Sequence, residues 1–453
     1  MLPLLRVQVV ERGTKADSGW TKCEIGKTLE FNSTALSSYF YADWEPMVFD
    51  ALLLAAAVEY CDKVKRRPGL AWGREFHLHV PVHNPRHWSS ESISAALHDA
   101  LTFLTGDKWK ITFYKRAASV DRPQQGLFNL PMAIKAVIPF SDGLDSRAVS
   151  ALMEREYGDA LVHVRLGTKS DDKPRNANGR PLPFASVPYK VKGKKGDFRE
   201  SSARSRGFKF ALLSGLAAYL GKAEQVIVPE SGQGALGPTL VPVGQAYQDF
   251  RNHPAFTARM SRFLKALLNY DVRYEFPRLW NTKGETLREY VNAHPKSDEW
   301  RTTRSCWQDN RQSSVGGKRR QCGICAACML RRMSIHAAGL KEEKETYIWE
   351  SLAGPDFKKS AVKGYHHVTP RKQEYAIAGT LHLDHMARFR KDPLTQSAMN
   401  LSIFQLSKAL NKPENEIKKN VERMLTQHET EWSNFKNSLG NLSFVAKWVG
   451  RKS

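Results

Sequence analysis

A mostly apolar run, MAIKAVIPF (132–140), leads directly into the polar turn SDGLDS (141–146), and this junction constrains the fold more than any other part of the chain. The run has the length of a strand and its composition suits burial on both faces. The next segment, RAVSALMEREYG, predicts a helix that ends near Gly158, and ALVHVRLG (Ala160–Gly167) predicts another strand. A strand, a helix and a second strand in this order require a parallel sheet with a crossover connection.

The same alternation continues further along the chain. Gly207–Gly221 has the pattern of a helix, and Gln225–Pro229 is a short buried strand that leads into Glu230. We therefore predict an α/β fold with a doubly wound parallel sheet. The polar, basic stretch Thr168–Arg206 interrupts it, and its length is typical of a lid, an insertion or a disordered segment.

The length of 453 residues predicts two to three domains. We place an extra N-terminal α/β region at 1–130, the domain with the phosphate-binding turn at 131–340, and a helical C-terminal region at 341–453; Ala118–Pro131 is the predicted linker. The N-terminal region is predicted to contain a helix from about Trp44 to Lys63, a strand from Arg74, a helix from Ser89 or Ser90 to Gly106, and a strand at Trp109–Lys115.

Composition limits the class of protein. Hydrophobic residues make up 41% of the chain, which is enough for a core and argues against a disordered protein. Arg6 and Glu11 interrupt the apolar N-terminus, and Met47–Cys61 is too short to span a bilayer and contains Asp50 and Glu59. We therefore expect a cytoplasmic protein without a membrane segment. The net charge of 69 − 46 = +23 suits phosphate-rich or acidic partners without choosing among them.

The turn at 141–146 is a candidate phosphate loop. It follows a buried strand and leads into a helix, whose first backbone N–H groups are unpaired and attract anions. Gly143 lets the backbone approach phosphate oxygens, and Asp145 is suited to orienting the loop or to holding Mg²⁺. The alternative is an ordinary turn with a Ser/Asp helix cap. The predicted ATP-binding residues are Ser141, Asp142, Gly143, Leu144, Asp145 and Ser146, of which Asp145 and Ser146 are the predicted catalytic pair.

A cysteine cluster is the second feature that carries chemistry. Four thiolates at short spacings can surround one tetrahedral Zn²⁺, and a site with four sulfur ligands has no open position, so its role is structural. Iron–sulfur ligation is the competing interpretation. Cys23 and Cys61 are isolated and are predicted to be core residues. The predicted metal ligands are Cys306, Cys322, Cys325 and Cys328.

Together these motifs resemble a known family. The S-x-G-L-D-S turn is similar to the SGGxDS loop of the N-type ATP pyrophosphatases, with Asp142 where that family usually has Gly. With the late run CGICAACMLR, which ends at Arg331, it resembles the 7-cyano-7-deazaguanine synthase (QueC-like) family. The resemblance covers roughly 133–340, and an insertion with the basic residues 318–320 precedes the last three cysteines.

This resemblance implies a fold of the adenine nucleotide alpha-hydrolase (HUP-like) type and an ATP-dependent carbon–nitrogen ligase. Such enzymes transfer AMP from ATP to the carboxylate of 7-carboxy-7-deazaguanine, after which an amine displaces AMP. ATP, Mg²⁺ and Zn²⁺ are the implied cofactors. Five further residues are candidate substrate contacts by their position in the chain: Arg204, Arg206, Glu230, Lys283 and Arg331. The alternative is a surface charge for each of the basic residues and a structural cap for Glu230, which ends a buried strand at the ligand-binding edge.

The flanking regions resemble the longer QueC-like proteins of bacterial anti-phage systems, such as the Qat and type IV CBASS groups. In that branch the amine is expected on a protein partner. Two other functions stay open from the residues alone. One is a nucleic-acid-modifying pyrophosphatase that uses the basic surface, and the other is a catalytically weak nucleotide-binding subunit of a defence complex.

Overall fold

The computed structural model describes residues 4–32, 36, 39, 45–67, 73–117, 133–166, 182–194, 196–200, 204–244, 246–308 and 312–450. The predicted linker Ala118–Pro131 lies outside the described residues, as does much of the basic stretch Thr168–Arg206.

Strands and helices are numbered in chain order. The strands are β1 (Leu4–Val10), β2 (Thr21–Glu24), β3 (Leu29–Phe31), β4 (Glu75–Val82), β5 (Lys108–Lys115), β6 (Ala136–Phe140), β7 (Leu161–Arg165), β8 (Tyr189–Val191), β9 (Gln225–Ile227), β10 (Arg273–Glu275), β11 (Ser314–Val315) and β12 (Lys318–Arg319). The helices are α1 (Pro46–Val64), α2 (Pro85–Trp88), α3 (Glu91–Thr105), α4 (Leu144–Tyr157), α5 (Arg206–Leu220), α6 (Gly232–Ala235), α7 (Gly237–Leu240), α8 (Pro254–Leu268), α9 (Lys283–Ala293), α10 (Ala326–Ala337), α11 (Pro370–Arg388), α12 (Gln396–Leu410), α13 (Glu414–Leu439) and α14 (Phe444–Val449).

These elements form two compact units, each made of three chain segments. The first unit comprises Met1–Ser141, Glu154–Val228 and Asp249–Phe276, and the second comprises Asp142–Met153, Pro229–Gln248 and Pro277–Ser453. The division into three consecutive regions at 130 and 340 stays a prediction.

The first unit contains two parallel sheets, with strand orders β2-β1-β4-β5 and β10-β9-β6-β7. In the second sheet Ala136 of β6 is opposite Leu161 of β7 on one side and Gln225 of β9 on the other, all in parallel register. The side chains of β6 are buried except at Pro139, as the apolar run predicts. The mixed α/β fold with parallel strands is therefore confirmed.

The helices begin and end close to the residues that the sequence predicts, with small differences. Helix α3 begins after Ser90 and ends at Gly106, whose φ of 67° is the left-handed conformation that glycine favours at a helix end. Helix α4 begins at Leu144, earlier than its sequence pattern predicts. Leu144, Asp145 and Ser146 therefore form the first turn of a helix, and Ser141–Gly143 alone connects it to β6.

The second unit is mainly helical. Helix α13 buries an apolar stripe that includes Met424, Trp432 and Phe435, and α11 and α10 pack against it. None of the described helices is long and apolar enough to cross a membrane.

Two buried histidines of this unit predict a loss of stability in acid. His382 pairs with the carbonyl oxygen of Val241 at 2.6 Å, and His428 lies between α11 and α6. Burial lowers the pKa of both from 6.5 to about 4. Between these values the unfolded chain binds more protons than the folded one, so stability is complete above pH 6.5 and falls as the pH approaches 4. Each histidine is expected to contribute up to about 3 kcal/mol of this loss.

Urea unfolding followed by tryptophan fluorescence at several values of pH tests this expectation. His382→Gln should flatten the dependence on pH, whereas His366→Gln, at an exposed site, should leave it unchanged. A free energy of unfolding that is equal at pH 7 and pH 4.5 would contradict the prediction.

Candidate nucleotide site and cysteine cluster

The start of α4 places the residues of the predicted phosphate loop. Asp145 and Ser146 lie in its first turn and are buried, and Asp142 precedes it in the short connection. The backbone N–H of Arg304 donates to the carbonyl oxygen of Asp142 at 2.8 Å, which holds this connection in place. The first N–H groups of an α-helix have no partner within the helix and favour an anion.

The carboxylate of Asp145 is bound from two sides. The hydroxyl of Ser231 donates to one oxygen at 2.7 Å, and the ammonium of Lys283 forms an ion pair with the other. The carboxylate is therefore fixed at the first turn of α4, next to a cation that can bind phosphate oxygens.

Lys283 is only 8% exposed, yet it keeps its charge. Burial by itself lowers the pKa of its ammonium, but the carboxylates of Asp145 and Glu230 more than offset this effect and raise the pKa above its ordinary value. Glu230 lies over Gly234, where a Cβ atom would come within 1.9 Å of the glutamate Oε1 atom. Glu230, Asp145 and Lys283 thus form one charged cluster, and the lack of a side chain at Gly234 makes room for it.

Asp142, the departure from the SGGxDS pattern, has a basic neighbour. The guanidinium of Arg319, on β12, interacts electrostatically with the carboxylate of Asp142. Burial and the charge of Arg304 lower the pKa of Arg319, and Cys306 and, to a smaller extent, Asp142 act in the opposite direction. The hairpin that carries Arg319 belongs to the basic insertion before the last three cysteines, so this insertion brings a cation into the surroundings of Asp142.

Arg331 has the surroundings of a structural anchor. Its side chain is 0% exposed and its guanidinium donates to the Glu342 carboxylate at 2.8 Å, to the Thr303 hydroxyl at 2.5 Å and to the Trp300 carbonyl oxygen at 3.2 Å. These contacts hold the segment that precedes Cys306. None of these hydrogen bonds favours a role for Arg331 in binding substrate, and that role stays a prediction.

Arg204 and Arg206 lie in the first unit, whereas the Asp145 cluster lies in the second. Arg204 donates to the carbonyl oxygen of Thr105 at 3.2 Å, and the Arg206 guanidinium stacks over the Phe210 ring at 4.8 Å. Burial lowers the pKa of Arg206.

The four clustered cysteines come together in the second unit. Their sulfur atoms all lie within 4.8 Å of one another, and those of Cys322 and Cys328 are 3.8 Å apart. Four ligands at a Zn–S distance of about 2.3 Å in a tetrahedron are separated by about 3.8 Å, so the donor set fits one zinc ion. An iron–sulfur cluster fits less well, because a cluster with several irons needs its cysteine sulfurs farther apart than a single ion does. That the site holds zinc stays a prediction.

Backbone hydrogen bonds and a turn of the chain orient these sulfurs so that they can bind one cation. The backbone N–H of Cys322 donates to the sulfur of Cys306 at 3.2 Å. In the same way the N–H of Cys325 donates to the sulfur of Cys322 at 3.3 Å, and the N–H of Cys328 donates to the sulfur of Cys325 at 3.4 Å. Gly323 has a φ of 83°, which turns the chain between the first two ligands of the triplet. Hydrogen bonds from the neighbouring thiols lower the pKa of Cys306, while burial raises the pKa of Cys325 and Cys328. A bound cation would supply the charge that lets all four ionise.

Two residues of the site were missed by the sequence analysis. Ser231 and Gln233 follow β9 in the segment ESGQG, and both are buried. Small and polar residues directly after a buried strand were the available signal, but the segment has no spacing that assigns a role to either side chain.

Comparison with known proteins does not assign a family. No protein-family model matches the chain, and no curated protein matches it significantly. The features that bear on function are therefore the arrangement of Asp145, Ser231 and Lys283 and the cysteine cluster.

Proposed function

We propose that this chain is an ATP-dependent carbon–nitrogen ligase of the ATP-pyrophosphatase type, with a fold of the HUP-like class. The observation that carries the proposal is the ion pair between Asp145 and Lys283 at the first turn of α4, directly after strand β6 in the chain. An anion-binding helix start, a charged buried lysine and a carboxylate able to hold Mg²⁺ are the groups that a triphosphate needs.

The proposed reaction has two steps. An oxygen of the substrate carboxylate attacks the α-phosphorus of ATP, the bond to the bridging oxygen breaks and pyrophosphate leaves. The nitrogen of an amine then attacks the acyl carbon, AMP leaves, and the amine loses a proton to give an amide. The first step makes the carboxylate reactive, since AMP is a much better leaving group than oxide.

The residues of the site match the charge changes of the first step. Negative charge grows on the departing pyrophosphate, and the Lys283 ammonium and the N–H groups of α4 stabilise it. Asp145 keeps Lys283 charged and is suited to Mg²⁺, which when bound neutralises phosphate charge. The cysteine cluster would hold zinc in a structural role.

The substrate we propose is a deazapurine carboxylate, such as 7-carboxy-7-deazaguanine. The acceptor would be ammonia or the amino group of a protein partner in anti-phage defence, and a cytoplasmic setting supplies both ATP and reduced thiols. The charge of +23 favours an acidic protein partner or a nucleic acid at another surface.

Exchange of labelled pyrophosphate into ATP, measured with 7-carboxy-7-deazaguanine and without any amine, tests the adenylation step. We expect exchange that requires the deazapurine. Asp145→Asn should reduce it by a factor of about 10² to 10³, because the variant loses the charge beside Lys283 while keeping a similar shape. Asp159→Asn, which alters an exposed carboxylate just after α4, is the control and should exchange like the wild type.

Zinc-replete protein that binds ATP but shows no exchange would contradict a stand-alone ligase and favour a nucleotide-binding subunit. Nucleic-acid binding that weakens steeply with salt, together with exchange that needs nucleic acid in place of the deazapurine, would favour the nucleic-acid-modifying enzyme.

A further inference from the structure

Helix α13 lies outside the part of the chain that resembles an ATP pyrophosphatase, yet one of its polar side chains contacts the segment that carries Lys283 and another is connected to that segment through Gln233. We infer that α13 is a built-in part of the nucleotide site, in which Glu431 and His428 position Lys283 for its phosphate ligand. The phosphate role of Lys283 rests on the proposed function, whereas the positioning itself does not.

The first connection is a chain of hydrogen bonds through Gln233. The Nε2 atom of His428 lies 2.9 Å from the carbonyl oxygen of Leu383, so this nitrogen carries the proton and donates it. The other ring nitrogen then accepts from the Gln233 amide at 2.8 Å. The Gln233 oxygen in turn accepts from the backbone N–H of Lys283 at 2.8 Å. Each donor in the chain meets an acceptor, and this order fixes the orientation of the Gln233 amide.

The second connection reaches the residue just before Lys283. Thr282 is the N-cap of α9 and forms a capping box with Glu285. Its hydroxyl also donates to Glu431 at 2.5 Å. At Gly284 a Cβ atom would lie 2.8 Å from the same Glu431 oxygen, so the first turn of α9 and the carboxyl group are in close contact. On one side of Lys283 the Thr282 side chain is therefore hydrogen-bonded to α13, and on the other side Gly284 lies close to it.

The position of these polar groups within α13 argues for a specific role. Met424, His428, Glu431 and Phe435 follow one another at helical spacing along the buried stripe, so an apolar residue at 428 or 431 would continue the packing. Instead Glu431 is buried, and its Oε2 atom has no hydrogen-bond partner among the described residues. A buried carboxyl that is half satisfied costs stability. In return, the contact with Glu431 fixes the first turn of α9, in which Lys283 lies next to Asp145.

The chemical reactivity of Lys283 measures its position without any need for catalysis. Folded protein is treated with an N-hydroxysuccinimide ester, and acylation of Lys283 is followed by peptide mass spectrometry relative to the exposed Lys418. Glu431→Leu is expected to raise the labelling rate of Lys283 by about tenfold and to weaken Mg²⁺–ATP binding, measured by calorimetry, by a similar factor, since one buried hydrogen bond is lost. Glu431→Gln keeps an acceptor oxygen and should restore most of both properties.

Asn434→Leu makes the same kind of change on the exposed side of α13 and is the matched control. If Glu431→Leu does not fold, as judged by circular dichroism, Gln233→Leu removes the acceptor of the Lys283 N–H and takes its place. Unchanged labelling in a folded variant would overturn the inference, and faster labelling with unchanged ATP affinity would overturn the phosphate role that it assigns to Lys283. If the wild type binds no ATP, the proposed function fails, and the labelling of Lys283 alone decides whether α13 positions it.

Discussion

Replacing Cys325 with serine, or removing metal with a strong chelator, is expected to unfold the region around the cysteine cluster in the second unit. Cys322, Cys325 and Cys328 are buried, and the last two belong to the start of α10. Structural zinc contributes about 10–16 kcal/mol to the folding of small zinc domains, which is as much as the whole net stability of an average protein, about 5–15 kcal/mol.

Metal content by plasma mass spectrometry and thermal unfolding with and without chelator measure this effect. We expect one zinc ion per chain, a large fall in the unfolding temperature after chelation, and no stoichiometric zinc in Cys325→Ser. Cys61→Ala is the control, because this cysteine is buried in the first unit and should leave the zinc content unchanged. Stoichiometric iron with visible absorbance would support the iron–sulfur alternative, and metal-free protein of unchanged stability would contradict both.

Patterns in the sequence predicted those parts of the structure that depend on residues close together in the chain. The run before Ser141 predicted β6 because a strand buried on both faces needs continuous apolar residues, and the segments after it predicted a parallel partner, β7. The short spacings from Cys322 to Cys328 brought their sulfurs together for a similar reason, since a chain can turn only a few ways over such a distance.

The sequence did not predict contacts between segments that are far apart in the chain. Thr282 and Glu431 are 149 positions apart, and Gln233 and His428 are 195 apart. The periodicity of α13 predicts which of its faces is buried, but it contains no information about the surface against which that face packs. The sequence analysis therefore assigned no role to α13 in the nucleotide site.

A second large effect is expected from a buried ion network in the first unit. Arg74 is 0% exposed, and its guanidinium donates to the Asp62 carboxylate at 2.5 Å and to both oxygens of Asp107 at 3.2 and 2.8 Å. The second oxygen of Asp62 accepts from the backbone N–H of Ser205 at 2.8 Å. The network thus connects the end of α1 and the starts of β4, β5 and α5 through Arg74, and Arg67 pairs with the same two carboxylates. Burial raises the pKa of Asp62, but its interactions, those with Arg74 first among them, more than offset this, so its pKa lies below the ordinary value.

Arg74→Met is expected to lower the free energy of unfolding by about 3–5 kcal/mol, because it removes one of the two cations that pair with the buried carboxylates of Asp62 and Asp107. Arg74→Lys should recover little of this loss, since an ammonium cannot pair with both carboxylates in the geometry of a guanidinium. Chemical denaturation at pH 7 measures the change, and Arg273→Met, which removes an exposed ion pair with Glu224, should have little effect. Because the folded state holds the Asp62 pKa below 3.8, the wild type should lose this stabilisation only as the pH falls below that value. A variant as stable as the wild type at pH 7 would show that Arg67, which pairs with Asp107 at 2.8 Å, is sufficient to neutralise the network without Arg74.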